Sequence, residues 1–162
     1  MVEVSSHNIY NILKSVMDPE IPVLSLVDLG VIVDVEVEET DVNIKMRPTF
    51  MGCPALDLMT QEIKEALNNE GYNKVRVEIV QEPAWTTDDI SEEGRVALKK
   101  YGYTPPRRGE LLEDLDILQN VECPRCSGTN TELISPFGPT LCRAVHKCMD
   151  CLETFQSIKP LM

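Results

Sequence analysis

Positive charge is scarce in this chain. Its 162 residues carry 15 Lys+Arg against 27 Asp+Glu, a formal net charge of −12. Generic nucleic-acid binders neutralise phosphates with Lys and Arg, so that class is disfavoured and no nucleic-acid partner is expected. Histidine is scarcer still, at two residues, and there is no pair of Glu-x-x-His motifs to build an oxygen-activating di-iron centre. No GxGxxG or P-loop marks a nucleotide site. No apolar run approaches the roughly 20 residues that cross a bilayer, so no membrane partner is expected. The opening MVEVSSHNIYNILKSV has neither a basic flank nor a continuous apolar core, so no secretory signal is expected and the cytoplasm is the expected compartment. There is no internal repeat and no low-complexity tract.

What is present is ordinary globular composition, 43% hydrophobic and 26% charged, which excludes wholesale disorder. The length allows one domain or two small ones. Charge is unevenly spread: residues 1–82 carry 6 basic and 15 acidic side chains, 83–120 carry 5 and 8, and 121–162 carry 4 of each. Five of the six cysteines fall in that neutral last stretch. These shifts divide the chain into an acidic domain (1–82), a helix with an acidic linker (83–120) and a cysteine-rich module (121–162).

The pattern predicts an α+β fold. Ile9, Ile12, Leu13 and Val16 share one helical face, with Ser5 or Ser6 as cap and Pro19 and Pro22 as terminators. Val31, Val33, Val35 and Val37 alternate as a strand does, and Val42, Ile44 and Met46 repeat the alternation after a short link, so the two read as a hairpin. Leu56, Met59, Ile63, Ala66 and Leu67 predict a helix over 54–69, and Val75, Val77 and Ile79 a third strand. The order α-β-β-α-β implies a small mixed β-sheet with helices on one face. Farther on, Thr86 and Asp89 resemble a capping box for a helix that ends by Gly102 and Pro105-Pro106, and the stretch up to Asn120 reads as extended or mobile.

Cys123-Pro-Arg-Cys126 and Cys148-Met-Asp-Cys151 are two CxxC pairs 21 residues apart. Each pair can turn both sulfurs toward one metal, and two pairs complete the tetrahedral S₄ site that suits Zn²⁺. About 42 residues bury little apolar surface, so a closed metal staple in a C-terminal zinc ribbon explains the motif without any chemistry. An iron–sulfur cluster on the same four cysteines is the sharper alternative. Cys142 reads as a small ribbon residue and His146 as a strand residue.

Cys53 stands apart, ahead of a predicted helix, with Pro54 suited to the first helical position. Free N–H groups there would lower the thiol pKa. A buried apolar cysteine is an equal alternative on local chemistry. Asp18-Pro-Glu20-Ile-Pro22 forms a stiff acidic connector, and Thr49 lies four residues before Cys53.

Together the stretches DPEIPVLSLVDLGVI (18–32) and PTFMGCPA (48–55) resemble the small α/β domain of SufT-like iron–sulfur assembly factors. With PAWTTDDISEEGR (83–95), YGYTPP (101–106) and the terminal CPRC…ISPFGPTLCRAVHKCMDCLETF (123–155), nearly the whole chain resembles the PaaD (PaaJ) family of phenylacetate degradation. The resemblance implies an accessory protein, not an enzyme, that supplies or assembles iron–sulfur clusters for a phenylacetyl-CoA epoxidase system. Its expected partners are the reductase, the di-iron oxygenase component and the iron–sulfur assembly machinery. By the same resemblance Cys53 matches the proposed cluster-handling cysteine and Asp18 and Glu20 the acidic motif, with Thr49 beside them. Cys142 fits a cysteine usual in these ribbons, while His146 and Asp89 stand where an aromatic residue and Trp are common. One thiolate cannot hold a transient [2Fe–2S] cluster, which needs four ligands, so a partner, a homodimer or a small thiol must supply the rest. The rival reading is a non-catalytic adaptor of the oxygenase complex.

Overall fold

The computed structural model describes residues 6–39, 41–110 and 115–160. It divides into two compact units. One runs from the N-terminal helix to Trp85 and takes in Asp89–Ser91; the other comprises Thr86–Asp88 and the chain from Glu92 onward.

In the first unit the order is α1 (Ser6–Leu13), α2 (Leu26–Leu29), β1 (Ile32–Glu38), β2 (Asp41–Met46), α3 (Leu56–Asn69) and β3 (Lys74–Ile79). β1 and β2 pair antiparallel, and β2 and β3 pair parallel, giving the order β1-β2-β3. The parallel pair follows from the helix between its strands, since a crossover returns the chain in the same direction. Val42, Ile44 and Met46 all point to one side and are fully buried, as are Ile9 and Leu13 of α1 and Met59, Ile63 and Leu67 of α3. The period of two on β2 thus meets the period near four on α3, and a single apolar layer forms between sheet and helices. The fold is the expected α+β sheet with helices.

Several boundaries depart from the sequence reading. α1 stops at Leu13, well before Pro19; Val16 lies beyond it yet is buried. Ser6 is already helical, and Ser5 lies outside the described residues. The added helix α2 is capped by Ser25, whose Oγ accepts the Asp28 N–H, and closed by Gly30 at φ 79°. At four residues it is too short to show a period. α3 begins at Leu56, not Pro54, and the residue at its N-cap is Ala55.

After β3 the chain is clasped back onto this unit. The Arg47 guanidinium donates to the carbonyls of Gly30, Pro83 and Ala84 and pairs with Asp89 at 2.8 Å. The Trp85 indole N–H donates to the Leu29 carbonyl at 2.8 Å.

In the second unit, α4 (Glu92–Tyr101) begins six residues later than the Thr86 cap predicted. Thr87–Asp89 instead form one 3₁₀ turn ahead of it. β4 (Tyr103–Thr104), β5 (Thr131–Ser135), β6 (Arg143–Cys148) and β7 (Thr154–Ile158) form a sheet of order β4-β7-β6-β5. β5, β6 and β7 are antiparallel neighbours, and β4 adds in parallel to β7. In the stretch expected to be extended or mobile, Leu115–Leu118 form a 3₁₀ turn with Leu118 buried. No helix among the described residues is long and apolar enough to cross a membrane.

Candidate functional site

At the knuckle end of the ribbon, sulfur makes up much of one small apolar cluster. Cys123, Cys148 and Phe155 are its buried members, with Val121 and Cys151 packed against them. Such a cluster removes little apolar surface from water, so another source of folding energy is required. The four knuckle sulfurs supply one. Cys123, Cys126, Cys148 and Cys151 bring their Sγ atoms within 4.8 Å of one another. Cys123 and Cys151 sulfurs lie 3.7 Å apart, and those of Cys126 and Cys148 3.6 Å apart. A tetrahedral ion with bonds of about 2.3 Å holds its sulfurs about 3.8 Å apart, so the donor set fits one ion at its centre. Clusters of two or four irons would spread the same ligands farther.

The backbone N–H groups act on these sulfurs unequally. The N–H groups of Cys151 and Asp150 point at Cys148 and hold its thiol down to about 7. Cys126 receives the Gly128 N–H, which lowers its pKa, but proton sharing with the Cys148 and Cys151 sulfurs and burial push it up to about 12. Four sulfurs this close cannot all be thiolates without a cation among them. A Cβ at Gly128 would lie 2.6 Å from Asp150 Oδ2 and 3.3 Å from Cys126 Sγ, so a side chain there would push the Asp150 carboxylate aside. Arg125, unnoticed in the sequence, stands beside the site. It pairs with Glu153 at 2.6 Å, and its pKa is raised first by Glu153 and then by the Cys151 and Cys123 sulfurs. The chain therefore places a cation where a tetrathiolate site carries excess negative charge.

Cys142 and His146 lie outside this cluster. Cys142 is half-buried, 3.1 Å from Thr140 Oγ1. His146 is fully buried on β6, stacked on Phe155 and 2.7 Å from Ser157 Oγ; burial pushes its pKa down to about 4, so the ring is neutral.

Cys53 is not where the proline predicted. It sits in a turn three residues before α3, and it is buried, with 8% of its surface exposed. The placement at the start of the helix is corrected, and of the two readings left open for the thiol the structure shows the buried one. Pro54 fits a turn as well as a first helical position because both need φ near −65°. In that turn Cys53 N–H donates to the Phe50 carbonyl at 3.3 Å, and Leu56 N–H to the Cys53 carbonyl at 3.5 Å, the long end of the hydrogen-bond range. Gly52 takes φ 79° with open space where a Cβ would go, and Met51 is 73% exposed. Thr49 is half-buried on the same loop.

Asp18 and Glu20 occupy the loop between α1 and α2. Asp18 is buried, and its Oδ1 accepts the N–H groups of Glu20 and Ile21 at 2.8 and 2.7 Å. Its carboxylate thus shapes the loop that carries Glu20, which is half-buried. With Pro19 and Pro22, Asp18 lines a shallow hollow whose other wall is Glu62, Glu65 and Asn69 of α3; Cys53 is not part of that lining.

Comparison with known proteins adds to this geometry. The family of iron–sulfur cluster assembly proteins matches residues 6–79, and the PaaD zinc beta ribbon domain matches residues 112–159. A protein of Escherichia coli K12, named as one subunit of a "Putative 1,2-phenylacetyl-CoA epoxidase", is 39% identical over 94% of this chain and 92% of its own length. The Fe-S protein maturation auxiliary factor YitW of Bacillus subtilis is 38% identical over 60% of this chain and 97% of its own. A crystal structure of a DUF59 domain from Bacillus anthracis superposes with a TM-score of 0.54 at 30% identity, covering 57% of this chain and 89% of that one. The chain belongs to the PaaD family, in which an iron–sulfur cluster assembly domain precedes a zinc β-ribbon.

Proposed function

We propose that this protein helps to furnish the iron–sulfur centre of a phenylacetyl-CoA epoxidase-type oxygenase system, and that it does so as an accessory factor, not as an enzyme. The observation that carries the reading is the division of the cysteines. Four gather within 4.8 Å in the ribbon, leaving Cys53 as the thiol of the assembly domain. The E. coli relative, with its epoxidase name, and the Bacillus relative named as an iron–sulfur maturation factor support the two halves of the proposal.

In this reading the ribbon holds Zn²⁺, whose role is to close the fold. Cys53 offers one thiolate to a cluster that is cargo, and the donor or client supplies the remaining ligands. Opening the 50–56 turn exposes the sulfur. Thr49 shares that loop, while Asp18 fixes the loop bearing Glu20 against α3. The expected clients are the reductase and the di-iron component, and six cysteines without a disulfide fit a reducing cytoplasm.

The near burial of Cys53 favours a second reading, a non-catalytic adaptor that holds oxygenase components together. Deleting the gene in its host separates the two. Under the proposal, the purified reductase loses iron and acid-labile sulfide. A reductase with full cluster content but an oxygenase that no longer assembles would reject cluster supply and support the adaptor. Metal analysis of the protein purified without oxygen should give one zinc per chain and a colourless solution; iron with visible absorption would overturn the zinc assignment.

A further inference from the structure

We propose that two copies of this chain join edge to edge through β3, in an antiparallel register centred on Val77. Among the described residues β3 ends the three-stranded sheet, with β2 on one side and no strand on the other. Val80 N–H donates to Met46 on β2. By strand alternation the even-numbered residues of β3 therefore bond toward β2, and Val75, Val77 and Ile79 turn their N–H and C=O groups outward.

Exposed edges are normally blunted. β1 carries a register irregularity between Ile32 and Asp34, β5 has one between Leu133 and Ser135 and is followed by Pro136, and β4 has two residues. β3 carries charges at Lys74, Arg76 and Glu78 but has none of these interruptions: six residues run in unbroken register with β2, without proline. Its apolar stripe is also incompletely covered, for Val75 and Val77 are half-buried and Ile79 is 43% exposed.

The side chains select the partner. In a register centred on Val77, Val77 meets its own copy and Val75 meets Ile79 twice, all through outward-facing backbone groups. On the other face Arg76 of each copy meets Glu78 of the other. Neither residue forms an ion pair within its own chain among the described residues, and Lys45, the β2 neighbour of Glu78, turns instead to Glu36 and Asp34 on β1. Shifting the centre to Arg76 or to Glu78 sets like charges face to face, and a one-residue slip mixes the two faces. Of the registers centred on Arg76, Val77 and Glu78, the one on Val77 alone is self-complementary, as a two-fold interface requires. The product is a continuous six-stranded sheet.

Sedimentation velocity on the full chain across a concentration series tests this. The wild type should form a dimer. Arg76→Glu and Glu78→Arg should each weaken it at least about tenfold, since two pairs turn repulsive at once. The double variant R76E/E78R restores opposite pairing and should return the wild-type association. Far-ultraviolet circular dichroism should be unchanged in all three, because both positions are exposed. A wild type that stays monomeric up to millimolar concentration, single variants that dimerise as tightly as the wild type, or a double variant no tighter than the singles would overturn the proposal.

Discussion

Gly30 shows how a single residue fixes the path of the first unit. It closes α2 at φ 79°, and a Cβ there would clash with the Asp89 carbonyl oxygen. Gly30→Ala should cost about 1–3 kcal/mol, from the left-handed conformation and the contact together, and a denaturant melt measures it. Asp18 gives a sharper contrast, because its carboxylate oxygen accepts two backbone N–H groups. Asp18→Ala should lose about 1–2 kcal/mol, while Asp18→Asn, which keeps an acceptor, should stay close to wild type in melting temperature. If Asp18→Asn instead spares stability but abolishes activity of the host oxygenase, the charge serves function as well as the loop. At this scale the sequence was only partly readable. The CxxC spacing announced the four ligands because two sulfurs two residues apart have little choice but to share a metal. Cys53 was misplaced because Pro54 has the same φ in a turn as in the first turn of a helix. Arg47 and Arg125 were missed because their partners, the 83–89 clasp and Glu153 with the cysteine sulfurs, are distant in sequence.

Elements with long, regular periods were legible, and short ones were not. Val42, Ile44 and Met46 announced β2, and Met59, Ile63 and Leu67 announced α3, because each pattern repeats at least three times. The four-residue α2 and the two-residue β4 repeat nothing; β4 exists because it pairs with β7, 53 residues on. On the β1–β2 hairpin, Lys45 reaches both Glu36 and Asp34. Its hydrogen bond holds the Glu36 carboxyl below its ordinary range, and Lys45 is itself raised, first by Glu36. Because the folded value is depressed, the pairing is complete above the ordinary carboxylate pKa and is lost as pH falls through the folded one. Lys45→Met should move the Glu36 titration midpoint upward in an NMR pH series; an unmoved midpoint would contradict the pairing. In the ribbon, chelation should melt β5–β7, since the ligands Cys123 and Cys148 sit in its buried cluster with Phe155, and near-ultraviolet circular dichroism with metal analysis would record both losses together. Retention of the ribbon after complete metal removal would contradict its role as a staple.

For the molecule as a whole, the net charge is −12, which disfavours binding to phosphate backbones. The two family matches fall on different parts of the chain, residues 6–79 and 112–159. The fold class and the ribbon were readable from patterning; the register of β3 and the burial of Cys53 needed the tertiary structure, because exposure depends on what packs against a residue and not on its neighbours in sequence. The central claim is that the Cys53 sulfur takes part in cluster transfer. The direct measurement is iron and acid-labile sulfide in the oxygenase reductase, purified from a deletion host that carries either the wild-type gene or Cys53→Ala. The account predicts that the variant keeps its zinc and its melting temperature to within a few degrees while the reductase is left as poor in cluster as in the deletion host. A fully loaded reductase beside Cys53→Ala would contradict it.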